Sequence, residues 1–243
     1  MMRTLSAAII GIAFIVGLFI VGKAYKYRST SKETITVTGS AEKDFESDLI
    51  VWKGTYSRKS MDLKSAYAQL KEDESLVKKY LLTKGVPLNE MVFSSIAITK
   101  EFNYLTDANG RSLGQQFSGY NLTQNVRVES SHVDQINEIS RQATELIQQG
   151  IEFNSMPPLF YYTKLTEIKM DLLAKASADG KKRAEIIATN SGSTLGKLKK
   201  ANLGVFQITG KNTDEDYSYG GTFNTTSRDK TGSITIRMDF SVN

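Results

Sequence analysis

The strongest pattern in the chain is an apolar run without charged residues near its beginning. Thr4 to Gly22 spans nineteen residues, most of them Ile, Ala, Phe, Leu and Val. A helix of about 20 apolar residues crosses the hydrocarbon core of a bilayer, and this run is longer than the apolar region of a typical signal peptide. The sequence therefore predicts a retained transmembrane helix, so that residues 1–33 form a membrane anchor and a basic linker, with a cleaved signal segment as the alternative.

After the linker, the apolar positions follow two different periods. Alternation with a period of two predicts strands, and apolar residues at helical spacing predict three helices. The helices are expected over 61–84, 133–149 and 165–190, and the strands over 34–38, 49–56, 91–104, 117–129, 151–164, 201–210 and 233–242. This mixture of hairpins and helices favours an α+β fold with a mainly antiparallel sheet, in a domain that covers residues 34–243.

Short signals between these segments predict how the elements begin, end and connect. Asn109-Gly110 is a strong turn signal and predicts a hairpin. Ser131 together with Asp134 is similar to a capping box at the start of the second helix. Pro157-Pro158 indicates a sheet edge or a β-bulge, because proline has no N–H to donate to a neighbouring strand. The polar, glycine-containing residues 211–228 predict a mobile loop.

The charge distribution does not favour nucleic acid as a partner. The formal charge is +5, but five of the 31 basic residues lie in residues 1–32, where there is no acidic residue. Residues 33–243 therefore have 26 basic and 26 acidic residues, whereas binding to nucleic acid needs basic residues clustered on one face. The chain also has no cysteine, which excludes disulfides, thiol catalysis and cysteine-ligated metals.

Few residues indicate catalysis or metal binding. His132 is the single histidine, and the chain has no G-x-S-x-G segment that would supply a serine nucleophile for a Ser-His-Asp system with Asp134. The acidic run Asp214–Asp216 lacks the glycine and the final glutamate of an EF-hand loop and is interpreted as a solvated loop. We therefore expect no catalytic residue, no cofactor and no metal site.

Two groups of residues are candidates for interaction surfaces. Small residues on the third helix allow another element to approach closely, either the sheet or a second subunit. The candidates for a self-association surface are Ala176, Gly180 and Ala184. Aromatic residues in the polar loop are candidates for contact with a partner, with a disordered loop as the alternative. These are Tyr217, Tyr219 and Phe223.

Several phrases in the chain resemble one family of bacterial envelope proteins. They are Ile35–Gly39 in the first strand, Leu81–Val86 after the first helix, the alanine-spaced stretch from Ala174 to Ala184, and Leu195–Leu198. Over residues 34–243 they are similar to the SIMPL-domain family, although Glu46-Ser47-Asp48 departs from its usual "AP-D" phrase. The resemblance implies an exported α+β domain, a ring-shaped homo-oligomer in some members, and no established enzymatic activity.

These observations lead to one main hypothesis about function. We expect a non-enzymatic, membrane-anchored protein of the cell envelope, whose exported domain self-associates or binds other envelope components. Two alternatives stay open. A hydrolase or lyase that uses only carboxylates requires a pocket in which two or more acidic side chains lie close together.

The second alternative is an adaptor that faces the cytoplasm. The positive-inside rule favours it, because Lys23, Lys26 and Arg28 follow the apolar run while only Arg3 precedes it. A large domain can nevertheless be translocated despite such flanking charge. We therefore expect the domain in the periplasm, with the cytoplasmic orientation as the weaker expectation.

Overall fold

The computed structural model describes residues 14–23, 33–108 and 110–242. Residues 14–23 form an α-helix, α1. The predicted anchor Thr4–Gly22 lies partly outside the described residues, as does most of the predicted linker. Within the described ranges, no helix combines the length and the apolar character that crossing a membrane requires.

The rest of the chain contains ten strands and three further α-helices within the described ranges. In chain order they are β1 (Thr34–Glu46), β2 (Leu49–Ser60), α2 (Leu63–Thr83), β3 (Met91–Phe93), β4 (Ala97–Thr106), β5 (Ser112–Ser130), α3 (Val133–Gln142), β6 (Phe153–Ser155), β7 (Leu159–Tyr161), α4 (Leu165–Asn190), β8 (Leu195–Leu203), β9 (Gln207–Gly210) and β10 (Asp229–Val242). Short 3₁₀ helices follow α2 and α3, at Leu88–Glu90 and Ala143–Gln149. The predicted α+β class with antiparallel strand pairing is confirmed, but the strands form two sheets and not the one sheet expected.

The elements form two lobes, each with its own sheet and hydrophobic core. In the small lobe, β10 pairs with β1 on one side and with β8 and β9 on the other, and α4 packs against this sheet. Apolar residues in phase along β10, from Ile234 to Phe240, face α4 because successive side chains of a strand point to opposite faces. The alternation in the sequence therefore predicts this buried face correctly.

The large lobe contains the remaining strands and two helices. Its central strands β2 and β5 pair antiparallel over eleven residue pairs, and α2 and α3 pack against them. Trp52 and Tyr56 of β2 and Leu70 of α2 are fully buried in the core. The strands around Pro157-Pro158 are β6 and β7, which both pair with β2 at an edge of the sheet, as the prolines indicate.

Three details of the predicted elements are wrong. The strand expected over 91–104 is divided into β3 and β4, and the strand expected over 201–210 is divided into β8 and β9. The capping box is also absent from α3, since its N-cap residue is His132 and has no side-chain cap bond. Instead, the Ser130 hydroxyl accepts the His132 backbone N–H at 3.0 Å.

The lobes meet where the chain passes between their sheets. The backbone N–H of Ser47 donates to the carbonyl of Arg228 at 3.0 Å, and that of Phe160 donates to the carbonyl of Thr225 at 2.7 Å. The Arg228 side chain forms an ion pair with Asp134 of α3 across the junction. The segment before β10 is therefore fixed against both lobes.

Candidate interaction surface

Residues 211–228 connect β9 to β10, and we refer to them as the aromatic loop. The two strands pair directly, with Gly210 opposite Lys230, so the loop begins and ends at neighbouring positions of the small-lobe sheet. The sequence predicts a mobile loop here. In the structure, side chains at both ends of the loop and inside it form hydrogen bonds with its backbone.

Gln207 of β9 holds the middle of the aromatic loop. Its side chain is 9 % exposed, and its amide group donates to the Ser218 carbonyl at 2.8 Å. The side-chain oxygen of Gln207 accepts the backbone N–H of Thr222 at 2.7 Å and that of Ser218 at 3.3 Å. One buried amide thus fixes the backbone on both sides of Tyr219.

A second network joins the two ends of the loop. The Glu215 carboxylate accepts the backbone N–H of Gly210 at 3.0 Å and also the side-chain N–H of Asn224. The side-chain oxygen of Asn224 in turn accepts the backbone N–H of Ser227 at 2.8 Å. Since buried polar groups need such partners, these bonds favour one loop conformation over others.

Lys230, on β10, is the most unusual residue beneath the loop. Its side chain is 1 % exposed, and its ammonium donates to the carbonyls of Asn224 and Ser227, both at 2.6 Å. It also contacts the side-chain oxygen of Asn224 at 3.3 Å. Burial lowers the pKa of Lys230 from 10.5 to about 8, and the negative charge of Glu215 partly opposes this change.

This lowered pKa predicts how the stability depends on pH. Between pH 8 and 10.5 the unfolded chain binds more protons at Lys230 than the folded chain does, so the free energy of unfolding rises with pH. The rise contributed by this residue is at most about 1.4 kcal/mol per pH unit. Urea unfolding at pH of about 7 and about 9.5 should show it, and Lys230→Met should remove it.

Other groups also titrate near this pH range, so the control is a comparison of the wild type with Lys230→Met. Burial raises the pKa of Tyr80 to about 12, so this residue lowers the stability once tyrosine ionises in the unfolded chain. That contribution is shared by the wild type and Lys230→Met, so the difference between their two pH profiles isolates Lys230. Identical profiles would contradict the prediction.

The loop places the predicted aromatic residues in different environments. Tyr219 is fully exposed, and Tyr217 is mostly exposed with its hydroxyl 3.4 Å from the Ser233 hydroxyl. Together with the half-exposed Val205 they line a shallow cavity of about 230 Å³, and we refer to these three residues as the aromatic surface. Phe223 is half exposed and forms a bridge with Ile208.

The predicted self-association surface on α4 lies inside the small lobe. Ala176 and Ala184 are fully buried, and Gly180 is in close contact with Gly39 of β1 and Met238 of β10. This burial corrects the expectation that the stripe faces a second subunit. The chain's own sheet covers these small residues, because β1 approaches the helix backbone at Gly39.

The cleft between the lobes contains His132 and Asp134, which were considered for a Ser-His-Asp system, together with a second carboxylate. It measures about 530 Å³, and its lining includes Asp48, His132 and Asp134. Asp48 accepts two hydrogen bonds from Thr163, both at 2.7 Å, and Asp134 pairs with Arg228. Both carboxylates are thus already bonded within the protein, which does not favour general acid or base catalysis by this pair.

The acidic run in the aromatic loop also has a structural explanation. Glu215 bonds to the loop itself, as described above. Across the described parts of the chain, no three His, Asp or Glu side chains converge in a way that would hold a metal ion.

A family model matches the sequence of both lobes. The model of the SIMPL family, described as a protein of unknown function (DUF541), matches residues 35–242. The chain belongs to the SIMPL family. The matched residues begin in β1 and end in β10, so both lobes of this SIMPL protein belong to the family unit. No curated protein matches the chain.

The residues that hold the aromatic loop have little signal in the sequence. Lys230 is the exception, because it lies on the same face of β10 as Ile234 and Ile236, at an even spacing before them. A lysine in phase with apolar strand residues indicates either an exposed strand end or a buried ammonium. For Gln207 and Asn224 the sequence contains no comparable signal.

Proposed function

We propose that this SIMPL protein is a non-enzymatic, membrane-anchored protein of the cell envelope, and that its exported domain binds an envelope protein or a second copy through the aromatic surface. The observation that carries the proposal is the exposure of Tyr217 and Tyr219 on a loop whose backbone is held by buried polar side chains. Tyrosine is enriched at protein interfaces, where its ring buries a large apolar area while its hydroxyl remains available for hydrogen bonding.

The held backbone supports this use of the loop. Ordering a flexible loop on binding costs conformational entropy, and a loop already fixed in the free protein avoids most of that cost. Tyr219 lies between Ser218 and Thr222, whose backbone N–H groups are both bound by Gln207. The backbone that carries Tyr219 is therefore already held in the free protein.

The membrane part of the proposal depends on the sequence pattern. The apolar run Thr4–Gly22 is long enough to serve as a single membrane span. The neutral domain supports contact with proteins rather than nucleic acid. The resemblance to exported family members supports a position in the periplasm over the cytoplasmic orientation.

The test uses a photoreactive residue in the full-length chain. We expect p-benzoylphenylalanine in place of Tyr219 to form covalent adducts in illuminated bacterial cells, because that side chain touches the partner. The adducts should remain with the membranes after ultracentrifugation, because the apolar run anchors the chain. An adduct of twice the chain's mass indicates self-association, and another mass indicates a different envelope protein.

A matched position provides the control. Tyr67 on α2 of the large lobe is half exposed, so the same replacement there samples nonspecific collisions with a similar aromatic side chain. Equal adduct yields at positions 219 and 67 would contradict binding through the aromatic surface. Recovery of the unprocessed chain in the supernatant would contradict membrane anchoring.

A further inference from the structure

The backbone of Lys230 is held in the sheet beneath the aromatic loop. It lies on β10, where its backbone position is opposite Phe45 of β1 on one side and Gly210 of β9 on the other. A residue paired on both sides in the interior of a sheet has little freedom to move its backbone. The position of its side chain is therefore determined by the sheet and not by the loop.

The number of N–H donors on the Lys230 ammonium equals the number of loop oxygens within reach. It has three N–H donors, and three loop oxygens lie within hydrogen-bond distance, namely the Asn224 carbonyl, the Asn224 side-chain oxygen and the Ser227 carbonyl. Two of these oxygens belong to backbone groups, so the interaction fixes the loop backbone itself.

Burial makes this arrangement selective for one loop conformation. An ammonium removed from water is strongly destabilising unless hydrogen-bond partners replace its hydration. Lys230 is almost fully buried, so a displaced loop would leave the ammonium and the loop oxygens without these bonds. Glu215 is the facing acidic group, and it is bonded to Asn224 and Gly210.

Backbone hydrogen bonds link Asn224, which Lys230 holds, to the part of the loop near the aromatic residues. The N–H of Asn224 donates to the Ile208 carbonyl at 2.8 Å, and the N–H of Ile208 donates to the Thr222 carbonyl at 2.8 Å. Phe223 is thus enclosed between bonds to β9, directly beside the residue that Lys230 holds. Asn224, which Lys230 holds, is therefore linked through Ile208 to Thr222.

We propose that Lys230 is the positioning residue of the aromatic loop, and that its three bonds to Asn224 and Ser227 keep Tyr217 and Tyr219 in the conformation that contacts a partner. The role in partner contact rests on the proposed function. The ordering of the loop by Lys230 does not, and it can be measured on the protein alone.

Hydrogen exchange measured by mass spectrometry on the full-length protein tests the ordering. We expect Lys230→Met, which keeps the length of the side chain but removes the ammonium, to increase exchange in residues 218–227 by about tenfold or more. Exchange in β2 and β5 of the large lobe should stay unchanged. Lys211→Met is the matched control, because Lys211 is an exposed lysine at the start of the same loop, paired with Asp44.

Chemical rescue separates positioning from a general structural role. Lys230→Ala leaves space for the propylammonium ion, which replaces the missing part of the side chain and its three N–H donors. We expect propylammonium to restore slow exchange in residues 218–227, whereas tetramethylammonium, which has the charge but no donor, should not. If Lys230→Met does not fold, Lys230→Gln, which replaces the ammonium with a neutral amide, is measured in the same way.

The outcomes are distinct. Increased exchange confined to the loop, with rescue, supports the proposal. Equal increases in both lobes, an unchanged loop, or identical effects of the two ammonium ions would overturn it. If the loop becomes mobile in Lys230→Met but the adduct yield at position 219 is unchanged and exceeds that at position 67, Lys230 orders the loop but its role in partner contact is overturned. Equal adduct yields at positions 219 and 67 in the wild type overturn the proposed function alone.

Discussion

Replacing Gly39 with alanine is expected to destabilise the small lobe by about 3 kcal/mol, although the change adds only one methyl group. The added Cβ would lie 2.6 Å from the backbone nitrogen of Gly180 and 2.8 Å from its Cα, and it would also clash with the Ala176 carbonyl. Backbone atoms of α4 cannot move aside as the end of a flexible side chain can. Thermal or urea unfolding of the variant measures the effect.

The neighbouring residue supplies the control for this prediction. Thr38→Ala changes an exposed side chain on the same strand, so we expect an effect within about 0.5 kcal/mol. Glycine within a strand is otherwise less favourable than alanine, so a Gly39→Ala variant as stable as the wild type would show that β1 and α4 are not in this close contact. Loss of stability without a change in the oligomeric state of the remaining folded protein would agree with burial of Gly180 inside the lobe.

Replacing Arg58 with methionine is expected to destabilise the large lobe by about 3–5 kcal/mol. The guanidinium of Arg58 binds the Asp73 carboxylate through two bonds, at 2.5 and 2.7 Å, and also donates to the Gly150 carbonyl at 2.8 Å. Asp73 is 2 % exposed. Methionine would leave this carboxylate buried without its cationic partner, and urea unfolding would measure the loss.

Two further variants show whether the buried charge causes the loss. Adding Asp73→Leu to Arg58→Met removes that charge, so we expect the double variant to recover part of the stability. Lys71→Met breaks an exposed pair with Glu74 on the same helix, and pairs of this kind contribute about 1 kcal/mol or less. Equal effects of Arg58→Met and Lys71→Met would contradict the assigned importance of the buried pair.

Local patterns predict the elements because each element depends mostly on nearby residues. The pattern over 61–84 predicts the helix that the structure shows as α2, at Leu63–Thr83. Asp62 caps the start of this helix by accepting the Ser65 N–H. The Asn109-Gly110 signal predicts the hairpin of β4 and β5. The divided strands are less predictable, because the breaks at 94–96 and 204–206 depend on pairing partners that are distant in the chain.

The candidate site was only partly predictable. The polar loop directs attention to Tyr217 and Tyr219, but its composition suggests mobility. The bonds that order it come from Gln207 and Lys230, which lie outside the loop on β9 and β10. Whether a polar loop is fixed therefore depends on side chains beneath it, and their burial appears only when the sheet is assembled.

By itself, the sequence determined the α+β class, the three helices of the domain and the membership of the SIMPL family, because periodicity and short phrases are properties of consecutive residues. Only the tertiary structure decided what the small residues of α4 contact and which charged side chains are buried. Gly39 meets Gly180, and Arg58 meets Asp73, through packing between separate elements. Such contacts depend on which faces of the sheets and helices come together, and the spacing of residues along the chain does not specify that.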